Sequence, residues 1–183
     1  MSTAGFKIFD SPLGPCGIAW SDFGVTGVQL PEGTAEETRR RLTARHPEVS
    51  EAKPPADVAL AIEGITALLA GKPADLRSVA LDFEHVSDFH RRVYEITRAI
   101  PRGATLTYGD IARRLGDLTL ARAVGQALGH NPFPLIVPCH RVIARGNALG
   151  GFSAHGGTTT KQRLLEIEGW TERSLPLFGQ PDG

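Results

Sequence analysis

The sequence predicts a two-domain α/β protein: a small sheet with helices comes first, then a mostly helical unit organised around a helix-turn-helix. Three observations predict this. Weak alternation through residues 6–30, with "SDFGV" inside it, marks a short hairpin or small sheet. Two short helical patterns joined by a tight turn fill residues 106–131. Charge divides along the chain: residues 1–90 carry 8 Lys+Arg against 13 Asp+Glu, and residues 91–183 carry 12 against 7. The boundary is expected near 78–88, with domains at 1–82 and 83–183.

Composition excludes several classes. A chain of 183 residues with 41% hydrophobic content can bury a core. No apolar run approaches the ~18 residues of a membrane-spanning helix. "MSTAGFKIFDSPLG" lacks the basic start and long apolar centre of a secretory signal. Two cysteines make no disulfide framework, so a reducing cytoplasm is expected. The net charge is zero, yet the basic second half can engage phosphates. Chance clustering of solvated charge is the alternative.

The helices follow in order. "GTAEETRRRLTARHP" (33–47) reads as an exposed helix closed by Pro47, and "ADVALAIEGITALLAGK" (56–72) as a second ended by Gly71. In "DFHRRVYEITRAI" (88–100), Phe89, Val93, Ile96 and Ile100 form one apolar stripe, capped by Ser87 and stopped at Pro101. "LTYGDIARRLG" (106–116) opens with a Thr107–Asp110 capping box and breaks at Gly116–Asp117. In "LTLARAVGQALGHN" (118–131), Leu120, Val124 and Leu128 point inward. The opposite face offers Ala121, Arg122, Ala123, Gly125, Gln126 and Gly129: nearly bare backbone with one long cation, suited to close approach to a nucleic-acid groove. A plain helical hairpin packed through small residues is the other reading.

"PLIVPCHRVIARG" (134–146) reads as a buried strand that delivers Cys139 and His140 side by side. A cysteine attacks as thiolate, and an unperturbed thiol is only a few per cent ionised at neutral pH. His140 cannot easily fold back onto its neighbour's sulfur, but a bridging water would let it act as base. Such a base needs an orienting partner. Glu168, in "TTTKQRLLEIEGW" (158–170), falls on the stripe of Leu164 and Leu165 and at a helix C-terminus, where the dipole disfavours an anion. A carboxylate placed badly on both counts calls for a cationic or hydrogen-bonding partner. The alternatives are a half-exposed Glu168 before the Gly169 cap, and a Cys139 that is simply a small buried hydrophobe. Cys139, His140, Cys16, His46 and His85 form no zinc signature, so no metal is expected.

"NPFPLIVPCHRVI" (131–143), preceded by "ARAVGQAL" and followed by "GGFS" and "KQRLLEIEG", resembles the O6-alkylguanine-DNA alkyltransferases, or methylated-DNA–protein-cysteine methyltransferases, over roughly residues 88–170. The resemblance implies a ribonuclease-H-like N-terminal domain and a winged-helix domain. It implies irreversible, single-turnover transfer of the alkyl group from guanine O6, and more weakly from thymine O4, to Cys139. His140 would act through a water, and Glu168 would orient it. Asn131 would brace the recognition helix against the cysteine loop. Tyr108, Val142, Phe152 and Ser153 would bind the base. Arg122 would enter the minor groove and fill the stack vacated by the flipped nucleotide, with Thr107, Ala121, Ala123, Gly125 and Gln126 along the DNA. No cofactor is implied. The partner is double-stranded DNA containing O6-alkylguanine, with no membrane, bound by a monomer in the cytoplasm or nucleoid; cooperative binding is left open.

Departures from the family pattern are specific. Phe152 stands where many members have tyrosine, and the "AHGG" stretch lengthens the segment to Glu168 by two residues relative to shorter-looped members, reshaping the pocket lip. Gly129 and His130 replace positions that are basic in some relatives. Two rival activities remain distinct. Alkyltransferase-like lesion sensors lack the cysteine, and a thiol hydrolase or peroxidase would need neither Arg122 nor the two-helix unit.

Overall fold

A computed structural model describes residues 3–171 of the chain, which divide into two compact units: residues 3–85 with 132–136, and residues 86–131 with 137–171. In the first unit, strands β1 (Gly5–Phe9), β2 (Cys16–Ser21) and β3 (Gly24–Gln29) form an antiparallel sheet in that order, with an irregularity at Ala19/Trp20. Five of six β2 residues are buried, as befits a central strand. Helix α1 (Ala35–Arg45) starts where the Thr34 side chain accepts from the Glu37 N–H, and its Leu42 packs with Phe6 and Ala19. Helix α2 (Ala56–Leu69) buries Val58, Ala61, Ile65 and Leu68. Val28 N–H donates to the Pro132 carbonyl, and Phe133 meets Phe83 edge-on, so Pro132–Ile136 is held inside this unit.

The second unit holds the helix-turn-helix elements. Helix α3 (Asp88–Arg98) is capped by Ser87, and buries Val93, Tyr94 and Thr97, with Ile96 half-buried. A two-residue strand β4 (Leu106–Thr107) leads into helix α4 (Tyr108–Arg114), whose capping box pairs Thr107 and Asp110 reciprocally. Gly116, at φ +100°, turns the chain where a side chain would be strained. The predicted 118–131 helix is divided: a 3-10 turn at Leu118–Leu120, then helix α5 (Ala121–Gly129). Val124, Ala127 and Leu128 face inward, Leu120 is half-buried, and Arg122 and Gln126 are exposed.

The expected strand after Asn131 is not one. Pro134–Val137 is a turn with Leu135 at φ +74°, and a 3-10 turn, Cys139–Arg141, follows directly. Pro132, Pro134 and Pro138 supply no N–H to a ladder, so the apolar run folds back instead of extending. The strand comes later, as β5 (Val142–Ile143), parallel to β4. Helix α6 (Thr158–Ile167) ends at Glu168. Its Leu165 packs with Ile143 and Trp170. Among the described residues no helix is long and apolar enough to cross a membrane.

Candidate active site

Cys139 opens the 3-10 turn, so the three residues after Pro138 project in different directions from one tight coil. All three are buried: Cys139 is 8% exposed, His140 0% and Arg141 7%. The turn directs His140 and Arg141 toward the end of α6. There His140 Nε2 meets Glu168 Oε1 at 2.9 Å. Arg141 donates from Nε to Oε2 at 2.9 Å and from Nη2 to Oε1 at 2.7 Å. Its Nη1 donates to the Ile100 carbonyl at 2.7 Å.

Glu168 thus has the cationic and hydrogen-bonding partners that its awkward position demanded. Burial pushes its pKa up, but the charge and hydrogen bond of His140 and the Arg141 fork outweigh this and hold it at about 2. A carboxylate so fixed accepts from Nε2–H and leaves His140 Nδ1 as the nitrogen able to take a proton. Nδ1 is buried and has no hydrogen-bond partner among the described residues.

The thiol is held from its other side. Asn131 Nδ2 donates to the Val137 carbonyl at 2.9 Å, and the Asn131 side chain also hydrogen-bonds the Cys139 sulfur. Burial pushes the Cys139 thiol up; the Asn131 hydrogen bond, the Lys161 charge and the local backbone N–H groups oppose it without cancelling it. The resting group is therefore a thiol, and ionisation needs a base. Cys16 is a separate case: it lies buried in the first unit beside Ser11, its pKa raised to about 11 by burial.

Two residues that sequence reasoning passed over complete the site. Arg141 was given no role from the sequence. Lys161, in the first turns of α6, is fully buried, with Nζ donating to the carbonyls of Val142 at 2.6 Å and Gly151 at 3.2 Å and to Tyr108 Oη at 3.4 Å. Its ammonium also lies 5.7 Å from the centre of the Tyr108 ring. Burial lowers its pKa to about 8, against the opposing pull of Cys139. The only sequence signal was position: Lys161 precedes Leu164 and Leu165 at helical spacing and shares their inward stripe.

The remaining expected residues are placed as follows. Tyr108 is half-buried, its hydroxyl raised in pKa by burial and by Cys139. Gly150 approaches it so closely that a Cβ would stand 2.8 Å from Oη. The Val142 carbonyl is already engaged by Lys161, which leaves one lone pair for a ligand. Phe152 is half-buried and Ser153 exposed on the loop before α6. Thr107 spends its hydroxyl on the α4 cap. Ala121, Arg122, Ala123, Gly125 and Gln126 share α5, where a Cβ added at Gly125 would lie 3.8 Å from the Tyr108 ring.

Comparison with known proteins identifies the family. Residues 88–170 match the family model described as the DNA-binding domain of 6-O-methylguanine DNA methyltransferase. A methylated-DNA–protein-cysteine methyltransferase of Methanothermobacter thermautotrophicus is 37% identical over 158 residues, 86% of this chain and 81% of that protein. The chain belongs to this family. Among solved structures, a Mycobacterium tuberculosis OGT in complex with DNA superimposes with a TM-score of 0.73 at 36% identity, covering 90% of this chain and 93% of the other. The O6-methylguanine-DNA methyltransferase of the hyperthermophilic archaeon Pyrococcus kodakaraensis gives 0.66 at 31% identity, covering 91% and 99%. Membership sets the small sheet and the helices of this chain in a known architecture, and it makes Cys139, His140, Asn131 and Glu168 the residues on which the family's chemistry must be tested.

Proposed function

We propose that this chain repairs DNA by taking the methyl group of O6-methylguanine, and more weakly of O4-methylthymine, onto Cys139. One arrangement carries the reading: a buried thiol with an amide donor on its sulfur, followed by an imidazole whose far nitrogen is tied to an Arg-fixed carboxylate. His140 Nδ1 takes the thiol proton through a water, and Glu168 stabilises the imidazolium formed. The thiolate then attacks the methyl carbon in line. The S–C bond forms as the C–O6 bond breaks, and the electron pair leaves on the guanine.

The departing base anion needs donors, and Tyr108, joined to the Lys161 ammonium, supplies a polarised hydroxyl for it. Ser153 N–H near O6, the free lone pair of the Val142 carbonyl and the Phe152 ring complete base recognition. The product is a thioether, which nothing in the site hydrolyses, so each molecule reacts once. No cofactor enters the balance.

The methyl carbon lies inside duplex DNA, so the nucleotide must leave the stack. Arg122, exposed on α5, fills the gap from the minor groove, with Ala121, Ala123, Gly125, Gln126 and Thr107 against the backbone and sugars. Asn131 braces α5 against the cysteine turn. In this reading residues 1–82 are a ribonuclease-H-like supporting domain and residues 83–183 a winged-helix domain that carries the reaction, working as a monomer in the cytoplasm.

The test is incubation with an oligonucleotide bearing labelled O6-methylguanine, followed by digestion and peptide mass measurement. One methyl per protein on the Cys139 peptide, with Cys139→Ala binding the lesion but taking no methyl, supports transfer. Lesion binding without label would make the protein a sensor, and multiple turnovers would make it a hydrolase; either overturns the proposal.

A further inference from the structure

Helix α5 is poorly supported by its own sequence. It has nine residues, two glycines, no side-chain cap at its start and no basic residue in its last turn. Helices this short are marginal alone, and each interior glycine costs ~1 kcal/mol relative to alanine. Yet two assignments hang from it: Arg122 in its first turn, and Asn131 two residues beyond its end. Its position must be imposed from outside. The buried Val124, Ala127 and Leu128 hold it by apolar contact, which is not directional.

A directional constraint comes from Tyr94 on α3. The side chain is buried, and its Oη donates to the Ala127 carbonyl at 2.7 Å. That carbonyl lies in the last turn of α5, where intrahelical donors run out, and it also accepts the His130 N–H at 3.2 Å. His90 tilts against Tyr94 at 6.0 Å between ring centres, and His130 stacks on His90 at 6.4 Å, so α3 grips the end of α5 from two points. Asn131 N–H donates to Leu128 O at 3.2 Å, Asn131 Nδ2 donates to Val137 O, and the same side chain reaches the thiol. One helical turn and a short run of hydrogen bonds therefore connect a phenol on α3 to the sulfur.

We propose that Tyr94 is a positioning residue for methyl transfer: its hydroxyl fixes the last turn of α5, and so holds the Asn131 amide on the Cys139 sulfur and Arg122 at its place toward DNA. This rests on Cys139 being the methyl acceptor. Phenylalanine would pack as the ring does; only the hydroxyl supplies direction. A hydroxyl that merely satisfies its own burial would leave the thiol's ionisation untouched, and that separates the two roles.

The experiment uses the full chain carrying Tyr94→Phe, with folding checked by circular dichroism. Alkylation of Cys139 by iodoacetamide is followed against pH, with the Cys139 peptide resolved from that of Cys16. This readout does not depend on DNA or on methyl transfer, so it stands apart from the failure of the proposed function. Displacement of the Asn131 donor moves the profile upward by about half a pH unit or more. The Leu128–Asn131 amides should exchange about tenfold faster with solvent. A profile that superimposes on the parent's in folded Tyr94→Phe overturns the proposal, whatever the transfer rate does. Should the variant not fold, exchange in the parent protein decides. The Tyr94 hydroxyl proton and the Leu128–Asn131 amides then open together with one free energy, and separate openings overturn the proposal.

Discussion

Arg141 and Glu168 form a buried two-point fork, Nε to Oε2 at 2.9 Å and Nη2 to Oε1 at 2.7 Å, and His140 Nε2 shares Oε1 at 2.9 Å. One carboxylate therefore serves a permanent cation and a titratable base. The guanidinium keeps the carboxylate ionised and oriented.

Glu168→Gln should damage both fold and chemistry. It leaves Arg141 buried beside a neutral amide, and breaking such a pair costs about 3–5 kcal/mol. Single-turnover transfer should fall by about 100-fold or more, because nothing then compensates the imidazolium. Urea unfolding and quenched-flow repair measure the two losses. Parent-like repair in this variant would remove Glu168 from the mechanism.

Acid should loosen the same triad. The folded pKa of Glu168, about 2, lies below its ordinary value of 4.5. The group binds fewer protons folded than unfolded, so its contribution is complete above pH 4.5 and is lost as pH falls toward 2. The stake is on the order of 3 kcal/mol. Urea midpoints between these limits should slope steeply in the parent and less in Glu168→Gln.

Lysine 161 has the same sign at the opposite end of the scale. Its folded pKa of about 8 lies below the ordinary lysine value of 10.5, so the unfolded chain holds the extra proton between them. This group makes stability rise with pH across that window. Lys161→Met should flatten the rise. The variant also withdraws a charge that favours the thiolate, so the Cys139 alkylation profile should move upward and repair slow about tenfold. An unmoved profile would make Lys161 a purely structural ligand of the Val142 and Gly151 carbonyls.

Gly150→Ala should disturb Tyr108. At φ +70° the new Cβ is strained, and it would stand 2.8 Å from Oη and 3.0 Å from the ring edge. The backbone cost is about 1–3 kcal/mol. If the hydroxyl serves the leaving base, reaction with free O6-benzylguanine and repair of duplex should decline together. A loss confined to one substrate would count against that role.

Arg122→Ala should do the reverse. An exposed arginine contributes little to stability. Unfolding should hardly change and free O6-benzylguanine should react normally, while duplex repair should drop by about tenfold or more once the vacated stack goes unfilled. Equal losses on both substrates would dismiss the minor-groove role.

Much of the site was legible because its residues violate local rules. Glu168 stood out as an anion on a buried stripe at the wrong end of a helix, and the structure gives it a guanidinium and an imidazole as partners. The α4 capping box and the inward Val124 and Leu128 followed from spacing alone. Arg141 and Lys161 were not legible, since a long cation in sequence looks the same whether it snorkels to water or is swallowed whole. Tyr94 fell beside the expected α3 stripe and not on it, because the buried face of α3 is set by the helix it packs against. Residues 134–137 misled through hydrophobicity. Three prolines outweighed an apolar run, and the backbone turned at Leu135.

The chain's path also limits how it can be dissected. It leaves the second unit after Asn131, lends five residues to the first, and re-enters at Val137, two positions before Cys139. No single scission yields two intact halves: a fragment begun at residue 86 would carry Phe133 away from Phe83 and strip the Val28 amide of its acceptor. Truncation studies on this protein would report on a first unit robbed of residues 132–136 and not on two intact halves, whereas re-mixing both pieces offers a route to complementation.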